Sequence, residues 1–248
     1  MVMHKTYANW SSGKDACLAL YTIMQEDTYN VTQLVTTVNK ENHRVSMHGL
    51  SIALLEAQAT RIGLPLKQIA LSGQVSMSDY SRLMKQAVLD LKEEGFTHAL
   101  FGDIFLEDLK KYRDDELAKV AITGVYPLWK KDTEVILKEF LSLGFKAITV
   151  CVNAQLLDKS FCGREVDQSF IDDLPSGIDP CGEHGEFHTF VYDGPIFKEP
   201  VHFTIGERVL KTYDRHENDD DNCFQDKDME RWDTAFWYCD LIATPFNV

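Results

Sequence analysis

Two short segments of the chain are rich in side chains that can take part in a reaction or bind a ligand. The first has the composition of a phosphate-binding site. It reads Ser11-Ser12-Gly13-Lys14-Asp15 and separates an apolar stretch from a second one with helical periodicity. At the start of a helix, these residues offer an anion free backbone N–H groups, hydroxyl donors and one positive charge. By itself the segment fits an ordinary capped turn with a solvated lysine or a phosphate-binding loop, and its place after the first strand of an alternating pattern favours phosphate. Asp15 either caps the helix or holds a magnesium ion. The segment matches neither G-x-x-x-x-G-K-[ST] nor G-x-G-x-x-G.

The second segment, DPCGEHGEFHTFVYDGPIF at 179–197, is rich in carboxylate and imidazole groups. Glu183, Glu186 and His188 are candidates for acid–base work or for holding a polar substrate. An ordinary polar loop before an exposed strand explains the same residues equally well. A zinc site is a weaker alternative, because the usual paired spacing of ligands is missing. Its ligands would be Cys181, His184 and His188, completed by Cys162.

Alternating strands and helices must position the first segment. Apolar periodicity predicts strands at 4–10, 31–38, 66–71 and 97–101, and helices at 15–26, 48–62, 78–94 and 106–122, the last ended by Thr123-Gly124. This order predicts a parallel sheet covered by helices, which binds ligands beyond the carboxyl ends of its strands. The loop at 11–15 and Gly102-Asp103 should therefore lie at the same edge. Asp103 is either a second magnesium ligand or the cap of the next helix.

The pattern changes after Tyr126-Pro127-Leu128-Trp129. A helix at 133–143 and a strand at 146–152 precede a loop rich in Gly, Asp, Ser and Pro at 172–186, and three strands at 187–192, 201–213 and 232–243 follow it. The sequence therefore predicts two domains, with a boundary between residues 126 and 127. The second, at 127–248, is a smaller α+β domain.

Composition narrows the possible partners and compartment. The net charge of −14 argues against a nucleic-acid-binding surface, which has to be basic. No apolar run reaches the length of a membrane span, so no membrane partner is expected. The 6 cysteines are scattered and form no CxxC pair, and the start has no apolar signal region. We expect a reduced, cytoplasmic protein.

The first segment resembles the pyrophosphate loop of the ATP pyrophosphatases, the PP-loop family of the adenine nucleotide α-hydrolase superfamily. That loop has the pattern S-G-G-x-D-S, and here it reads SSGKDA. Two positions depart from it, since Ser12 stands in place of glycine and Ala16 in place of serine. The resemblance implies an α/β fold in which a parallel-sheet, Rossmann-like domain of the adenine nucleotide α-hydrolase (HUP) type precedes the smaller α+β domain.

Four segments, in the same order, resemble the diphthine–ammonia ligase family. Its motifs SGGKDS, G-D-I, P-L-W and G-E-N-G-E-[FY]-H-T correspond here to residues 11–16, 102–104, 127–129 and 182–189. His184 stands in place of the asparagine of the last motif. The matches span the chain up to about residue 200.

This resemblance implies an ATP-dependent amide ligase that converts diphthine to diphthamide on elongation factor 2. In such an enzyme a carboxylate attacks the α-phosphate of ATP, pyrophosphate leaves, and ammonia from free ammonium displaces AMP. The residues implied to bind ATP are Ser11, Ser12, Gly13, Lys14, Asp15, Gly102 and Asp103, with Mg²⁺ on Asp15 and Asp103. Those implied to be catalytic are Lys14, Glu183, Glu186 and His188.

Two other functions fit the same motifs. One is an adenylating PP-loop enzyme for a different carboxylate, especially in a bacterium, where diphthamide is lacking. The other is an ATP-binding sensor without catalysis, a hypothesis motivated by the departures at Ser12 and Ala16. The oligomeric state is left open by the sequence.

Overall fold

A six-stranded sheet is built from the first part of the chain. The computed structural model describes residues 3–41, 44–45, 49–72, 76–212 and 235–244. The strands are β1 (His4–Asn9), β2 (Tyr29–Asn39), β3 (Arg44–Val45), β4 (Leu66–Leu71), β5 (His98–Leu100) and β6 (Thr123–Val125). Five of them pair in parallel in the order β4-β2-β1-β5-β6, and β3 pairs antiparallel with the end of β2. The predicted parallel sheet is confirmed.

Helices connect these strands, as expected for parallel neighbours. They are α1 (Lys14–Met24), α2 (Ile52–Ile62), α3 (Met77–Glu93) and α4 (Glu107–Ala118). Ser51 caps α2 by accepting the N–H of Leu54, and Gly63 ends it with a left-handed φ of +85°. Ser76 caps α3. These caps show why the helices start and stop where they do.

Two predicted boundaries were wrong. The helix expected at 106–122 ends at Ala118, and the Thr123-Gly124 pair expected only to end it belongs to strand β6. The strand is three residues long, too short for its alternation to be recognised in the sequence. The helix expected from His48 begins at Ile52, and His48 itself lies outside the described residues.

A second sheet follows, with four antiparallel strands in the order β8-β7-β10-β9. Its strands are β7 (Lys146–Asn153), β8 (Phe187–Asp193), β9 (Phe203–Thr212) and β10 (Ala235–Ala243), and its helices are α5 (Thr133–Ser142) and α6 (Gln168–Asp173), with a 3₁₀ turn at Lys159–Phe161. This part of the fold is α+β, as predicted. The proposed domain boundary between residues 126 and 127 stays a prediction.

One apolar core runs through both sheets. Leu18 and Leu20 of α1 and Leu54 of α2 belong to the same buried cluster as Ile148 of β7 and Phe190 of β8. Strand β8 therefore packs directly against the helix that follows the phosphate loop. Because protein interiors are close-packed, this contact fixes the loop relative to the second sheet.

In the described part of the chain, no helix is both long and apolar enough to cross a membrane. The five cysteines in that part are buried free thiols, and Cys223 lies outside it.

Candidate active site

The predicted phosphate loop connects β1 to α1 and lies against strand β8. Gly13 is the N-cap of α1 and makes no side-chain capping bond, so Asp15 does not cap the helix. The N–H of Lys14 donates to Thr189 Oγ1 at 3.1 Å, and a Cβ on Gly13 would lie 3.3 Å from the carbonyl oxygen of Thr189. Glycine at this position therefore lets β8 approach the loop.

Ser12 is fully buried, and its hydroxyl has no hydrogen-bond partner among the described residues. A buried polar atom without a partner is costly, and such groups usually mark a missing ligand or water. Together with the first-turn amides of α1, this hydroxyl suits a phosphate oxygen. The loop therefore fits the nucleotide that its sequence predicts.

Lys14 is buried at 3% exposure and joins the two predicted segments. Its ammonium contacts both carboxylate oxygens of Asp15, at 2.9 and 2.8 Å, and donates to the carbonyl of Cys181. Burial lowers the pKa of Lys14, but the negative charges of Asp15 and Glu183 outweigh burial and leave that pKa above its usual value. Lys14 is therefore positively charged at neutral pH, inside the protein.

Gly102 and Asp103 lie at the same sheet edge as the phosphate loop, as predicted. A Cβ on Gly102 would lie 2.8 Å from the carbonyl carbon of Asp15, so only glycine allows this approach. Asp103 forms an ion pair with Arg113 of α4. Burial raises the pKa of Asp103, and the charge of Arg113 opposes that shift. The N-cap of α4 is Leu106, so Asp103 does not cap that helix.

Asp15 and Asp103 are suitable magnesium ligands by their chemistry and position. Each carries a carboxylate, and the backbones at 15 and 102 are in contact. Mg²⁺ commonly takes one or two carboxylates together with substrate phosphates and water. The pair therefore fits an ion shared with a bound nucleotide, although both carboxylates are held by cations in this structure.

Residues 179–186 form a second loop, which we call the acceptor loop. Its own carboxylates hold its backbone in place. Glu186 is 2% exposed and accepts the N–H groups of Asp179, at 3.1 Å, and of His184, at 2.8 Å. Asp179 accepts the N–H of Cys181 at 2.8 Å and the hydroxyl of Thr133 at 2.8 Å. Both oxygens of Glu186 hold the loop together, which makes it a positioning residue.

The fold raises the pKa of Glu183, another carboxylate of the acceptor loop. Burial raises its pKa well above the usual range, Asp15 raises it further, and Lys14 opposes both. Such an environment is typical of a group that exchanges protons near neutral pH. Glu183 is therefore the best placed of the predicted acid–base residues.

His188 lies on strand β8, immediately after the acceptor loop. Burial and the charge of Lys14 lower its pKa to about 4, so the imidazole is neutral at pH 7 and a weak base.

The side chain of His184 lies beside Phe105, with ring centroids 5.7 Å apart. This contact joins the acceptor loop to the loop that follows β5.

The zinc alternative finds no support in the described part of the chain. No group of three or more His, Cys, Asp or Glu side chains there has an arrangement that could hold a metal ion. The thiol of Cys162 lies against the carbonyl of Trp237, whereas that of Cys181 lies against the carbonyl of Thr133.

Sequence reasoning missed three residues that build the site. Gln58 donates to the carbonyl of Ser12, Trp10 donates to Gln58, and Thr189 accepts the N–H of Lys14. A glutamine at a buried position of an otherwise apolar helix face is the signal that the sequence offers for Gln58. Thr189 lies within the last family motif, but nothing local shows that it contacts a loop 175 residues earlier.

Comparison with known proteins finds relatives that share the name diphthine–ammonia ligase. The chain is 27% identical over 238 residues to the diphthine–ammonia ligase of Danio rerio, an alignment covering 82% of this chain and 88% of that protein. It is 26% identical over 175 residues to the enzyme of that name from Homo sapiens, covering 64% and 66%. The Schizosaccharomyces pombe protein is 34% identical over 136 residues, which is 53% of this chain and 22% of that protein.

Solved structures give weaker matches. A predicted subunit of tRNA methyltransferase from Methanocaldococcus jannaschii has a TM-score of 0.42 at 15% identity, over 59% of this chain and 80% of that one. A U34-tRNA thiolase from Methanococcus maripaludis has a TM-score of 0.37 at 16% identity, over 57% of each chain. Likeness at this level supports no conclusion about function.

The family comparison covers most of the chain. The diphthamide synthase N-terminal domain matches residues 4–121, and the diphthamide synthase C-terminal domain matches residues 132–216. The chain therefore belongs to the diphthamide synthase family of ATP-dependent ligases within the PP-loop superfamily.

Proposed function

We propose that this protein activates a carboxylate with ATP and amidates it with ammonia, releasing AMP and pyrophosphate, and that the carboxylate is that of diphthine on elongation factor 2. The observation that carries the proposal is the position of Lys14. Its buried ammonium contacts Asp15 of the phosphate loop and the Cys181 carbonyl of the acceptor loop. The names of the relatives supply diphthine and ammonia, and the sequence resemblance supplies elongation factor 2.

The phosphate loop would bind the pyrophosphate part of ATP. ATP supplies an activated phosphorus atom and a stable leaving group. The hydroxyl groups of Ser11 and Ser12, the amides at the start of α1 and the charge of Lys14 would hold the negative charge that develops on that leaving group. These donors are already ordered in the folded protein, so little reorganisation is needed during the reaction.

Asp15 and Asp103 would hold Mg²⁺ on the nucleotide. The ion would supply positive charge that offsets the charge of the phosphates. Each carboxylate has a cationic neighbour, Lys14 or Arg113, which can shift to a phosphate or to the acceptor carboxylate once the metal is bound.

Glu183 would act on the ammonia side of the reaction. Its raised pKa lets it accept a proton from ammonium or from the attacking nitrogen near neutral pH. Glu186 and Asp179 fix the backbone on either side of Glu183 through the hydrogen bonds of the acceptor loop. His188, which is neutral at pH 7, would serve as a hydrogen-bonding group beside Lys14.

The test is identification of the nucleotide products. The protein is incubated with Mg-ATP and ammonium, with and without elongation factor 2 that carries diphthine, and the Lys14→Met variant is the matched control. AMP and pyrophosphate formed only with the factor, together with a mass decrease of the factor that matches amidation, support the proposal. ADP and phosphate would contradict the assignment of the phosphate loop.

Two further outcomes would replace the proposed substrate or the proposed activity. AMP and pyrophosphate formed with another carboxylate, but not with the factor, identify an adenylating ligase of different substrate. ATP binding without turnover, under every acceptor tested, identifies a nucleotide sensor.

A further inference from the structure

Ser12 adopts a backbone conformation that serine disfavours. Its φ is +70°, in the left-handed region where a Cβ crowds the following carbonyl. Ala121 and Lys130 are the other described non-glycine residues with positive φ, and both are exposed, whereas Ser12 is fully buried. Strain of this kind persists only where the surrounding structure holds the residue.

Gln58 of α2 holds the carbonyl of Ser12. Its Nε2 donates to that carbonyl at 3.0 Å and to the carbonyl of Val191 at 2.6 Å. Trp10 Nε1, which can only donate, bonds to Gln58 Oε1 at 2.7 Å and thereby fixes which end of the amide faces the carbonyls. Gln58 is fully buried, so water cannot replace these bonds.

Strand β8 completes the arrangement. The N–H of Val191 donates to the carbonyl of Ser12 at 3.0 Å, so this oxygen accepts one bond from the second sheet and one from Gln58. Gln58 thus joins three segments: the end of β1, the phosphate loop and β8. Both Nε2 hydrogens donate and Oε1 accepts from Trp10, so this fully buried side chain has no donor left for a ligand.

We propose that Gln58 is a positioning residue of the ATP site, which holds Ser12 in its left-handed conformation so that the loop presents the Ser12 hydroxyl and the α1 amides to pyrophosphate. The inference rests on the proposed binding of ATP at this loop. Glycine at position 12 would reach the same φ without strain, because it lacks a Cβ. The need for Gln58 is therefore specific to a loop with serine at this position.

The first experiment compares Gln58→Met with the wild type. Methionine keeps the length of the side chain and removes its hydrogen bonds to Ser12, Val191 and Trp10. We expect the Kd and KM for Mg-ATP to rise about tenfold, as the loss of two or three buried hydrogen bonds implies, with the KM for ammonium unchanged. Leu55→Ala, which truncates a fully buried residue of the same helix, controls for loss of stability.

The decisive experiment compares glutamine and methionine at position 58 again, this time in a protein that also carries Ser12→Gly. If Gln58 acts by holding Ser12, the change from glutamine to methionine should weaken ATP binding by only about twofold in the glycine background. Should Gln58→Met fail to fold, Trp10→Phe removes the bond that orients Gln58 together with part of a buried ring, and its smaller defect should shrink in the same way.

The outcomes separate the two proposals. Equal defects in the serine and glycine backgrounds, or a defect no larger than that of Leu55→Ala at matched melting temperature, overturn the role of Gln58 and leave the proposed function intact. A wild-type protein that binds no Mg-ATP overturns both.

Discussion

The phosphate loop and the acceptor loop are held in place in opposite ways. The phosphate loop has one internal ion pair, Lys14–Asp15, but its backbone is held mainly from outside. Gln58 and Val191 bond to the carbonyl of Ser12, and Thr189 accepts the N–H of Lys14. The acceptor loop is held mainly by the carboxylates of Asp179 and Glu186, which bond to backbone within the same eight residues.

This difference fits the separate functions that we propose for the two loops. Because its backbone is held from outside, the phosphate loop leaves the Ser12 hydroxyl available for a ligand, which suits the binding of phosphate. A loop that uses its own carboxylates for support has one acidic side chain, Glu183, left for proton transfer. We expect substitutions in the first region to affect ATP, and those in the second to affect the acceptor and ammonia.

Lys14 belongs to both regions, and its loss should have the largest effect. Lys14→Met removes the buried charge that would stabilise the leaving pyrophosphate, so kcat for AMP release should fall about 10²–10³-fold. The same substitution at Lys111, an exposed lysine of α4, is the control and should leave kcat unchanged. A fall of less than threefold in Lys14→Met would show that the charge has no part in the reaction.

Glu183 should give the next largest effect, confined to the ammonia side. Glu183→Gln should lower kcat about a hundredfold while the KM for ATP stays constant, because a general base is lost. The raised pKa of Glu183 means that the base form grows as pH rises through and above neutrality, so the wild-type kcat should rise with pH over that range. The variant should lose this rise.

Ammonium also loses its proton at alkaline pH, so the nucleophile needs a control. Hydroxylamine is already neutral at pH 7 and can replace ammonia in the assay. A rise in rate with pH that persists with hydroxylamine and disappears in Glu183→Gln belongs to the enzyme. A profile identical in the variant and the wild type would exclude Glu183 as the titrating group.

Glu186 should have a smaller effect through the shape of the acceptor loop. Glu186→Gln turns one oxygen into an amide NH₂, which opposes either the N–H of Asp179 or that of His184. Removing one buried hydrogen bond in this way should destabilise the protein by about 1–3 kcal/mol and lower kcat about tenfold. Chemical denaturation and product assays measure the two effects, and a raised KM for ATP alone would contradict the separation of the regions.

Gly102 should give the smallest effect, confined to ATP. In Gly102→Ala the new Cβ would lie 2.8 Å from the backbone of Asp15, so the loop has to shift by several tenths of an ångström. We expect about a threefold increase in the KM for ATP, because overpacking displaces the loop without removing any of its groups. Gly206→Ala, in strand β9, is the control, and an equal increase there would show that the effect is not local.

The sequence predicted the frame of the site well. Alternating periodicity predicted the parallel sheet, and the position of strand ends predicted that Gly102 lies beside Asp15, which the backbone contact confirms. The sequence could not predict strand β6. Its three residues form a strand because they pair with the free edge of β5. A strand of that length has no pattern of its own.

The chemistry of individual residues was less predictable. His188 was a candidate for acid–base work, yet burial and the charge of Lys14 lower its pKa and keep the imidazole neutral, whereas burial raises the pKa of Glu183 toward neutrality. Desolvation and neighbouring charge set both shifts, and both depend on residues distant in the chain.

The sequence by itself therefore determined the local features of this protein. These are the small residues and the lysine at a helix start, the glycines where two backbones approach each other, and the family pattern across four segments. The tertiary structure alone decided which of those groups are available for chemistry. It engages Glu186 with backbone, leaves the hydroxyl of Ser12 without a partner among the described residues, and recruits Gln58 from 46 residues away. Hydrogen bonding and burial are properties of groups brought together in space, and local sequence carries no record of them.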